Sequence, residues 1–367
     1  MLLALLLACL PQEPPPNGSG EAWIDAALAS KCSQAADRGL TWLATHQSPT
    51  GTWLGLVGHK MNDDYVLLDQ GLSLDQQRSA GRGHLGVAAL CGMAFLAGGH
   101  LPDRGQHGLV VRRTYDYVAG RGLESGLLSD SGTRMYSHAF ATLFLAEIAG
   151  MVDGDLARAP LERAVNLIVD SQNAHGGWRY NAFDRETDLS VTVCQLQALR
   201  AARNIGVQVP GDTIARAMAY VQQSRVPRGR SQGQYYYKIH GRGAYEKADE
   251  YAINAAALTA LSSAGIHDRD LSDPVLNFLD RSYGGIADYY REHYYFWYGN
   301  YYAAQAYYQH GGPRLRRFYE RLASDLLTSQ RADGSWENRV GPGDEFATAV
   351  ACILLQMPKQ YLPIFQR

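Results

Sequence analysis

The chain has 367 residues, of which 46% are hydrophobic and 19% are charged, and its formal net charge is -2 at pH 7. This composition excludes a disordered or fibrous protein and permits a large buried core. A nearly neutral chain without a basic stripe has no field that attracts nucleic acid, so we exclude a nucleic-acid-binding protein.

The first ten residues are almost wholly apolar, and a stretch rich in Pro, Gly and Ser follows them as far as Gly20. This pattern is typical of a secretory leader with a flexible linker, and the apolar run is too short to span a membrane. We therefore expect residues 1–20 to be a leader and linker, and the protein to be exported to the periplasm or cell envelope. The segment from Leu6 to Cys9 also resembles a bacterial lipoprotein box, which makes Cys9 a candidate lipid anchor.

Three segments share one spacing of glutamine, glycine and tryptophan. They are Gln47-x-x-x-Gly51-x-Trp53, Gln172-x-x-x-Gly176-x-Trp178 and Gln330-x-x-x-Gly334-x-Trp336. Each segment closes one helical run and precedes another, which predicts an array of helical hairpins. The glycine permits a turn out of the helix, the Gln amide can bond helix-end groups, and the Trp can cover the neighbouring hairpin. We interpret each segment as a staple between hairpins, not as a catalytic device.

Hydrophobic periodicity predicts six helix pairs. They are 36–47 with 84–98, 111–118 with 136–150, 161–172 with 188–206, 213–224 with 251–265, 274–282 with 300–310, and 315–330 with 345–355. The second helix of each pair is the more apolar and Ala-rich, which indicates a buried helix, while the first carries charge on one side. We therefore expect residues 21–367 to form a single all-α domain. Its predicted fold is an α/α toroid of about six helical hairpins, with an inner and an outer helix ring.

The segment from Arg38 to Trp53 resembles the full QW motif of the squalene–hopene and oxidosqualene cyclases, whose fold is an α/α toroid shared with protein prenyltransferase β subunits. The segment from Asp188 to Leu199 is similar to the prenyltransferase and squalene oxidase repeat proteins of bacteria, several of which carry export signals. The resemblance covers nearly everything after residue 30. It implies a divergent exported member of this superfamily with an isoprenoid-like ligand.

The catalytic signatures of these families are absent from the sequence. The cyclases protonate a double bond with an Asp-x-Asp-Asp motif, whereas Asp188 stands at a comparable repeat position and is followed by Leu189 and Ser190. The zinc-binding Asp-x-Cys pair of the prenyltransferases is also missing, so we expect no metal and no other cofactor. The resemblance therefore leaves open whether the protein is an enzyme.

Loops that lead into the inner helices of such a ring open on one mouth of its cavity, where ligands bind. We select Asp188 and His138 as candidate catalytic residues on this basis. Candidate ligand-binding residues at the other helix starts are Tyr136, Ser190, Thr192, Glu250, Asn254, Tyr298, Asn300, Tyr301 and Glu345. Each has a structural alternative: Asp188 can cap a helix, and a histidine such as His138 is more often a core residue than a base.

Tyrosines crowd the fourth and fifth repeats and predict an aromatic, half-polar central cavity. Aromatic faces stabilise carbocations and also stack on sugar rings. The first hypothesis is that the protein binds or transforms an isoprenoid or another small apolar or amphipathic ligand. The second is a glycan-active toroid, either a hydrolase that pairs Asp188 with Glu250 or Glu345, or a lyase that uses His138 with Arg134. The third is a non-catalytic scaffold.

Overall fold

The computed structural model describes residues 23–54, 83–130, 133–152, 154–291, 294–338 and 342–365. The predicted leader and Cys9 lie outside these residues. Within them are twelve α-helices: α1 (Ala26–His46), α2 (Leu85–Ala97), α3 (Gly108–Ala119), α4 (Met135–Ile148), α5 (Gly154–Asp170), α6 (Leu189–Asn204), α7 (Gly211–Gln223), α8 (Tyr251–Ser263), α9 (Arg269–Arg291), α10 (Tyr294–His310), α11 (Gly312–Ser329) and α12 (Asp344–Leu355). No helix in this described part has both the length and the apolar character to span a bilayer.

The even-numbered helices form a closed inner ring. Each packs against the next, α2 on α4, α4 on α6, α6 on α8, α8 on α10 and α10 on α12, and α12 returns to α2. The odd-numbered helices lie outside them, and α1 covers the seam by packing on α12. The predicted all-α toroid of six hairpins with two helix rings is therefore confirmed.

As predicted, the inner helices are more deeply buried than the outer helices. Every residue of α2 is buried, from Leu85 to Ala97, whereas α1 buries a single face. Small residues let the inner helices approach closely. At Gly92 of α2, a Cβ would overlap the ring of Phe144 on α4, so this glycine makes room for the aromatic side chain between the two helices.

The glutamine of each Gln-Gly-Trp segment ties its own turn to the next outer helix. The Nε2 atom of Gln330 donates to the carbonyl oxygen of Gly334 at 2.9 Å and to that of Ala35 on α1 at 2.8 Å. Gln47 and Gln172 make the equivalent bonds to α3 and α7. Because the bond from Gln330 reaches the first helix, the last segment closes the ring.

The tryptophans of the three segments are buried, and each bonds back to the helix that precedes it. Their indole Nε1 atoms donate to the carbonyl oxygens of Leu43, Ile168 and Leu326 at 2.8, 2.7 and 2.8 Å, from Trp53, Trp178 and Trp336 respectively. Burying an indole is favourable only when its N–H finds an acceptor, and all three have one. Each Trp therefore fixes the direction in which the chain leaves the outer helix.

The glycine of each segment permits close approach of the next outer helix. Gly334 has a φ of 96°, and a Cβ there would lie 2.7 Å from the carbonyl oxygen of Arg38 on α1. Gly51 and Gly176 also have positive φ angles and lie closer still to the backbone of α3 and α7. Gly126 likewise has a positive φ angle and lies close to the backbone of α5, although no Gln or Trp accompanies it. The repeat geometry thus persists where the sequence motif does not.

Two of the helix starts that differ from the prediction are those of α1 and α10. Helix α1 begins at Ala26 instead of residue 36, because the Asp25 side chain accepts a hydrogen bond from the Leu28 N–H at 3.1 Å and caps it there. Helix α10 begins at Tyr294 instead of residue 300. The aromatic run that precedes Asn300 is therefore helical.

Helix α9 also begins earlier than predicted, at Arg269 ahead of Pro274. A proline inside a helix has no N–H for the carbonyl four residues before it, which here is that of Asp270. Arg225 donates a hydrogen bond to this carbonyl at 2.9 Å. The backbone group that Pro274 cannot pair is thus satisfied by a side chain from the preceding loop.

Replacing the seam glycine tests the closure of the ring. We expect Gly334→Ala to lower the free energy of unfolding by about 2–4 kcal/mol, because it combines a left-handed backbone with displacement of α1. Gly206→Ala is the matched control, since Gly206 has a φ of 86° and open space within 4 Å of the place that a Cβ would take; it should cost only about 1 kcal/mol. Chemical denaturation measures both, and equal losses would contradict a tight seam.

Candidate functional site

Asp188 is fully buried and caps α6. Its Oδ1 atom accepts hydrogen bonds from the Val191 N–H at 2.9 Å and from the Ser190 hydroxyl at 2.7 Å. Its Oδ2 atom has no well-formed hydrogen bond from any described residue and lies 3.7 Å from Nη1 of Arg179. One oxygen therefore holds the helix cap, while the other faces Arg179 and the Tyr237 hydroxyl.

Four tyrosines gather around this carboxyl group from two inner helices and two loops: Tyr136, Tyr180, Tyr237 and Tyr298. We call Asp188 and these four residues the tyrosine mouth. Tyr136 shares a hydrogen bond with the Ser190 hydroxyl, and Tyr298 donates to the Ser190 carbonyl oxygen at 3.1 Å. The Tyr136 ring lies 6.0 Å from that of Tyr180 and 6.3 Å from that of Tyr298. The acid is thus enclosed by aromatic rings.

Burial is the main cause of the pKa shifts in the tyrosine mouth. It raises the pKa of Asp188, against the opposing effect of the Ser190 and Val191 hydrogen bonds and of the Arg179 charge. Burial likewise raises the pKa of Tyr136 well above its usual value, and the negative charge of Asp188 adds to this. The protonated carboxylic acid is therefore more populated here than at an ordinary aspartate, which suits a proton donor.

Cations line the rim of the tyrosine mouth. The guanidinium groups of Arg179 and Arg134 lie over the Tyr180 ring, 4.9 and 5.9 Å from its centre. Lys238 donates to Glu186 at 2.9 Å, and the Oε2 atom of Glu186 is also 3.6 Å from Nη1 of Arg179. The hydrogen bond from Lys238 lowers the pKa of Glu186. Lys238 is buried and held by Glu186, whereas Arg134 and Arg179 are partly exposed and favour an anionic group at this rim.

Of the predicted site residues, the structure brings Asp188, Ser190, Tyr136 and Tyr298 together. Thr192 lies beside them, but its hydroxyl accepts from the Trp178 N–H at 3.1 Å and donates to the Asp188 carbonyl oxygen at 2.7 Å. Thr192 therefore serves the local backbone instead of facing a ligand.

His138 does not share this mouth. Its Nδ1 atom accepts from the Leu128 N–H at 3.0 Å, and its Nε2 atom bonds to the carbonyl oxygen of Ala164 on α5 at 3.2 Å. Burial lowers its pKa to about 4, so the ring is neutral and ties α4 to the outer layer. The expectation that His138 faces the same mouth as Asp188 is wrong, because both ring nitrogens serve the backbone.

Two other predicted residues, Glu250 and Asn254, lie at the start of α8. Glu250 pairs with Lys247 at 3.6 Å. Asn254 is buried and organises the loop before α8, accepting from the Tyr235 N–H at 2.9 Å and donating to the Ala248 carbonyl oxygen at 2.8 Å. The contacts of Asn254 are structural.

The remaining predicted residues are buried within or between inner helices. Asn300 accepts from the Tyr251 hydroxyl at 3.0 Å, which joins α10 to α8. Glu345 lies in the first turn of α12, close enough to Cys91 of α2 to add to the burial that raises the pKa of that thiol. Tyr301 lies deeper in the ring, with its hydroxyl 3.4 Å from Oε1 of Gln197.

The axis of the toroid is packed with side chains where α4, α6 and α10 converge. The Tyr301 ring lies 5.8 Å from that of Phe140 and 5.0 Å from that of Tyr302, and the Cys194 thiol is 3.0 Å from the Tyr302 hydroxyl. The expected aromatic residues are present, but these rings fill the axis instead of lining an open central cavity. Ligand access is therefore expected at the two mouths.

Five residues of the site are missing from the sequence-based candidates: Arg179, Tyr180 and Glu186 lie in the loop between Trp178 and α6, and Tyr237 and Lys238 lie in the loop before α8. The sequence does contain a signal that could have identified the residues before α6. Their loop leads directly into an inner helix, at the start of which Asp188 stands. Among the described residues, no three His, Cys, Asp or Glu side chains come together in a way that could hold a metal ion.

A pH-dependent stability measurement tests the burial of Asp188. Since its pKa is raised on folding, its contribution to stability is greatest below the ordinary value of 3.8 and falls as the pH rises through the folded value. We expect Asp188→Asn, which can keep the cap, to unfold at a higher denaturant concentration than the parent at pH 7, with the gap closing towards pH 4.

Asp25→Asn is the matched control, because Asp25 caps α1 in the same way while exposed to solvent. This substitution should leave the denaturation midpoint at pH 7 nearly unchanged, because Asn caps a helix about as well as Asp does. A less stable Asp188→Asn protein at pH 7, with the Asp25 control unaffected, would contradict the buried, proton-holding acid.

No protein-family model matches this sequence, and no curated protein matches it either. Solved structures do match its fold. The type II terpene cyclase MstE from Scytonema, as a variant in complex with its substrate geranylgeranyl dihydroxybenzoate, aligns with a TM-score of 0.59 at 12% identity over 92% of this chain and 99% of that chain.

Two carbohydrate-active structures match equally well. The GH76A α-1,6-mannanase from Salegentibacter sp. HEL1_6 gives a TM-score of 0.61 at 9% identity, covering 90% of this chain and 99% of that chain. An α-amylase from Clostridium perfringens gives 0.60 at 8% identity, covering 88% and 98%. The protein is therefore a divergent α/α toroid, with the fold that terpene cyclases and glycan hydrolases share.

Proposed function

We propose that the tyrosine mouth binds an isoprenoid with an anionic head and that Asp188 protonates one of its double bonds. The observation that supports this most strongly is a fully buried carboxyl group with a raised pKa, whose Oδ2 atom is not engaged by the helix cap and is enclosed by tyrosine rings. An acid that must protonate an alkene has to be kept protonated and out of water. Burial shields Asp188 from water and raises its pKa, which supports this role.

The reaction would be an isomerisation that needs no co-reactant. The proton on Oδ2 of Asp188 adds to a C=C bond, the resulting carbocation is attacked by a neighbouring C=C bond to close a ring, and loss of a proton restores a double bond. A proton returned to Asp188 balances the cycle. The faces of Tyr136 and Tyr298 would stabilise the cation by about 0.5–2 kcal/mol each.

The positive charges at the rim are the reason for proposing that the ligand has an anionic head group. The partly exposed Arg134 and Arg179 lie over Tyr180, where charge-assisted hydrogen bonds to a carboxylate or phosphate form readily. The substrate of the terpene cyclase neighbour has this layout, a geranylgeranyl chain on a dihydroxybenzoate. Binding also requires Tyr136 and Tyr298, both partly exposed, to rotate and admit the chain.

A second candidate function, glycan hydrolysis, is favoured by a different observation. Glu186 and Asp188 both approach Nη1 of Arg179, at 3.6 and 3.7 Å, so their nearest oxygens cannot be further apart than these distances together. This upper limit on the oxygen–oxygen separation lies below the ~9.5 Å maximum for glycosidase carboxylate pairs. The pKa of Asp188 is raised and that of Glu186 is lowered, as an acid and a base or nucleophile require. The structure thus offers Glu186 as the partner carboxylate, in place of the predicted Glu250 or Glu345.

One set of variants separates the two functions. The purified protein is incubated with prenylated benzoates and, separately, with α-mannan and starch, and products are followed by mass spectrometry and by reducing-sugar release. For isoprenoid cyclisation we expect Asp188→Asn to lower product formation at least 100-fold, while Glu186→Gln retains most of it. Loss of glycan cleavage in both variants would instead establish the hydrolase, and no turnover of either class would contradict both enzymatic hypotheses.

We also propose that the chain is an exported QW-repeat protein. The apolar leader, the lipoprotein-like Cys9 and the resemblance to exported repeat proteins support this. Export suits either ligand class, since an envelope protein meets membrane isoprenoids as well as extracellular glycans.

A further inference from the structure

A second polar cavity lies at the opposite mouth of the ring, where α4, α6, α8 and α10 end. Its volume is about 20 Å³, and its polar lining residues are Glu147, Gln197, Arg200, Thr259, Ser263 and Gln305. It opens to solvent beside the exposed Asn204. None of these residues belongs to the tyrosine mouth.

Glu147 is the unusual group in this cavity. Glu147 is only 6% exposed, and neither of its carboxyl oxygens has a hydrogen-bond partner among the described residues. The nearest cation does not satisfy it, since Arg200 donates to the Ser263 hydroxyl at 3.3 Å instead. An unpaired buried carboxyl group costs folding free energy, so its position at the base of a cavity is consistent with a ligand site.

The missing partner is a hydrogen-bond donor. The neighbouring amides already bond to each other, because Gln197 donates to Gln305 and accepts from Tyr301. Two unpaired acceptor oxygens therefore remain at Glu147. Four helix C-termini converge on the same space, and their carbonyl groups favour a positive charge.

We propose that this cavity binds the ammonium group of a small primary alkylamine, with Glu147 as its anionic acceptor. The cavity volume admits one or two water-sized groups, which matches an ammonium group and the first methylene of its chain. Ala201, Pro363 and Ile364 supply apolar contacts along the rest of the chain. The site is independent of the chemistry at Asp188.

Charge at Glu147 sets the pH dependence of amine binding. Burial raises the pKa of Glu147 to about 8, opposed by the charge of Arg200 on α6. The other titratable groups nearby are Tyr301 on α10, whose phenol stays neutral because burial raises its pKa, and His267, which follows α8 and faces Arg200. Since the amine needs an ionised carboxylate, its affinity should rise up to about tenfold per pH unit between pH 6 and pH 8.

Calorimetric titration at pH 8 in phosphate buffer, with n-butylamine, n-butanol and n-butyrate as probes, tests the proposal on the intact protein. We expect n-butylamine to bind at least tenfold more tightly than n-butanol, and n-butyrate not to bind. Glu147→Gln keeps the shape of the side chain and removes its charge, so it should weaken n-butylamine binding at least tenfold.

The opposite outcomes overturn the proposal. Equal affinity for n-butylamine and n-butanol in the parent protein would show that Glu147 only holds water, a result that does not depend on any variant folding. Preference of the parent protein for n-butyrate would make the cavity an anion site. Asp188→Asn should leave amine binding unchanged, whereas a loss there would place the amine in the tyrosine mouth.

Discussion

The ring depends on hydrogen bonds that side chains make to backbone carbonyl groups at the ends of the outer helices. Each Gln-Gly-Trp segment provides an amide bond to the next outer helix, an indole bond to its own, and a glycine that lets the two meet. Helix packing alone allows an open array of hairpins that continues indefinitely. The bond from Gln330 to Ala35 ends the array by joining its last hairpin to its first helix. Closure then fixes all six inner helices parallel around one axis.

Parallel inner helices make the two mouths electrostatically different. Asp188 lies at helix N-termini, where N–H groups and the helix dipole favour negative charge, and it is nevertheless pushed towards its protonated form by burial. Glu147 lies at helix C-termini, where burial and the dipole both oppose its ionisation. A buried acid at one mouth therefore suits proton donation to an anionic ligand held by cations. A buried acid at the other is better completed by a cation.

The fold could be predicted from the sequence because its determinants are local and periodic: the three Gln-Gly-Trp segments, the Ala-rich inner helices and the charged outer ones. Asp188 and Tyr136 could be found for the same reason, since both stand at inner-helix starts. His138 could not be placed correctly, because a shift of about two residues along a helix turns a side chain from the axis to the outer layer, and helix boundaries are uncertain by that much. Arg179 approaches both Glu186 and Asp188 only through the folding of a loop, and Glu147 becomes notable only when its missing partners are seen.

Hydrogen exchange of the indole N–H groups, followed by NMR, tests ring closure most directly. In a closed ring, Trp53 and Trp336 flank the seam and are as well bonded as Trp178, which lies far from it in the chain. We expect all three indole protons to exchange with the same protection, through the same global unfolding. Faster exchange at Trp53 and Trp336 than at Trp178 would show that the seam opens on its own, and it would contradict the closed toroid on which both mouths depend.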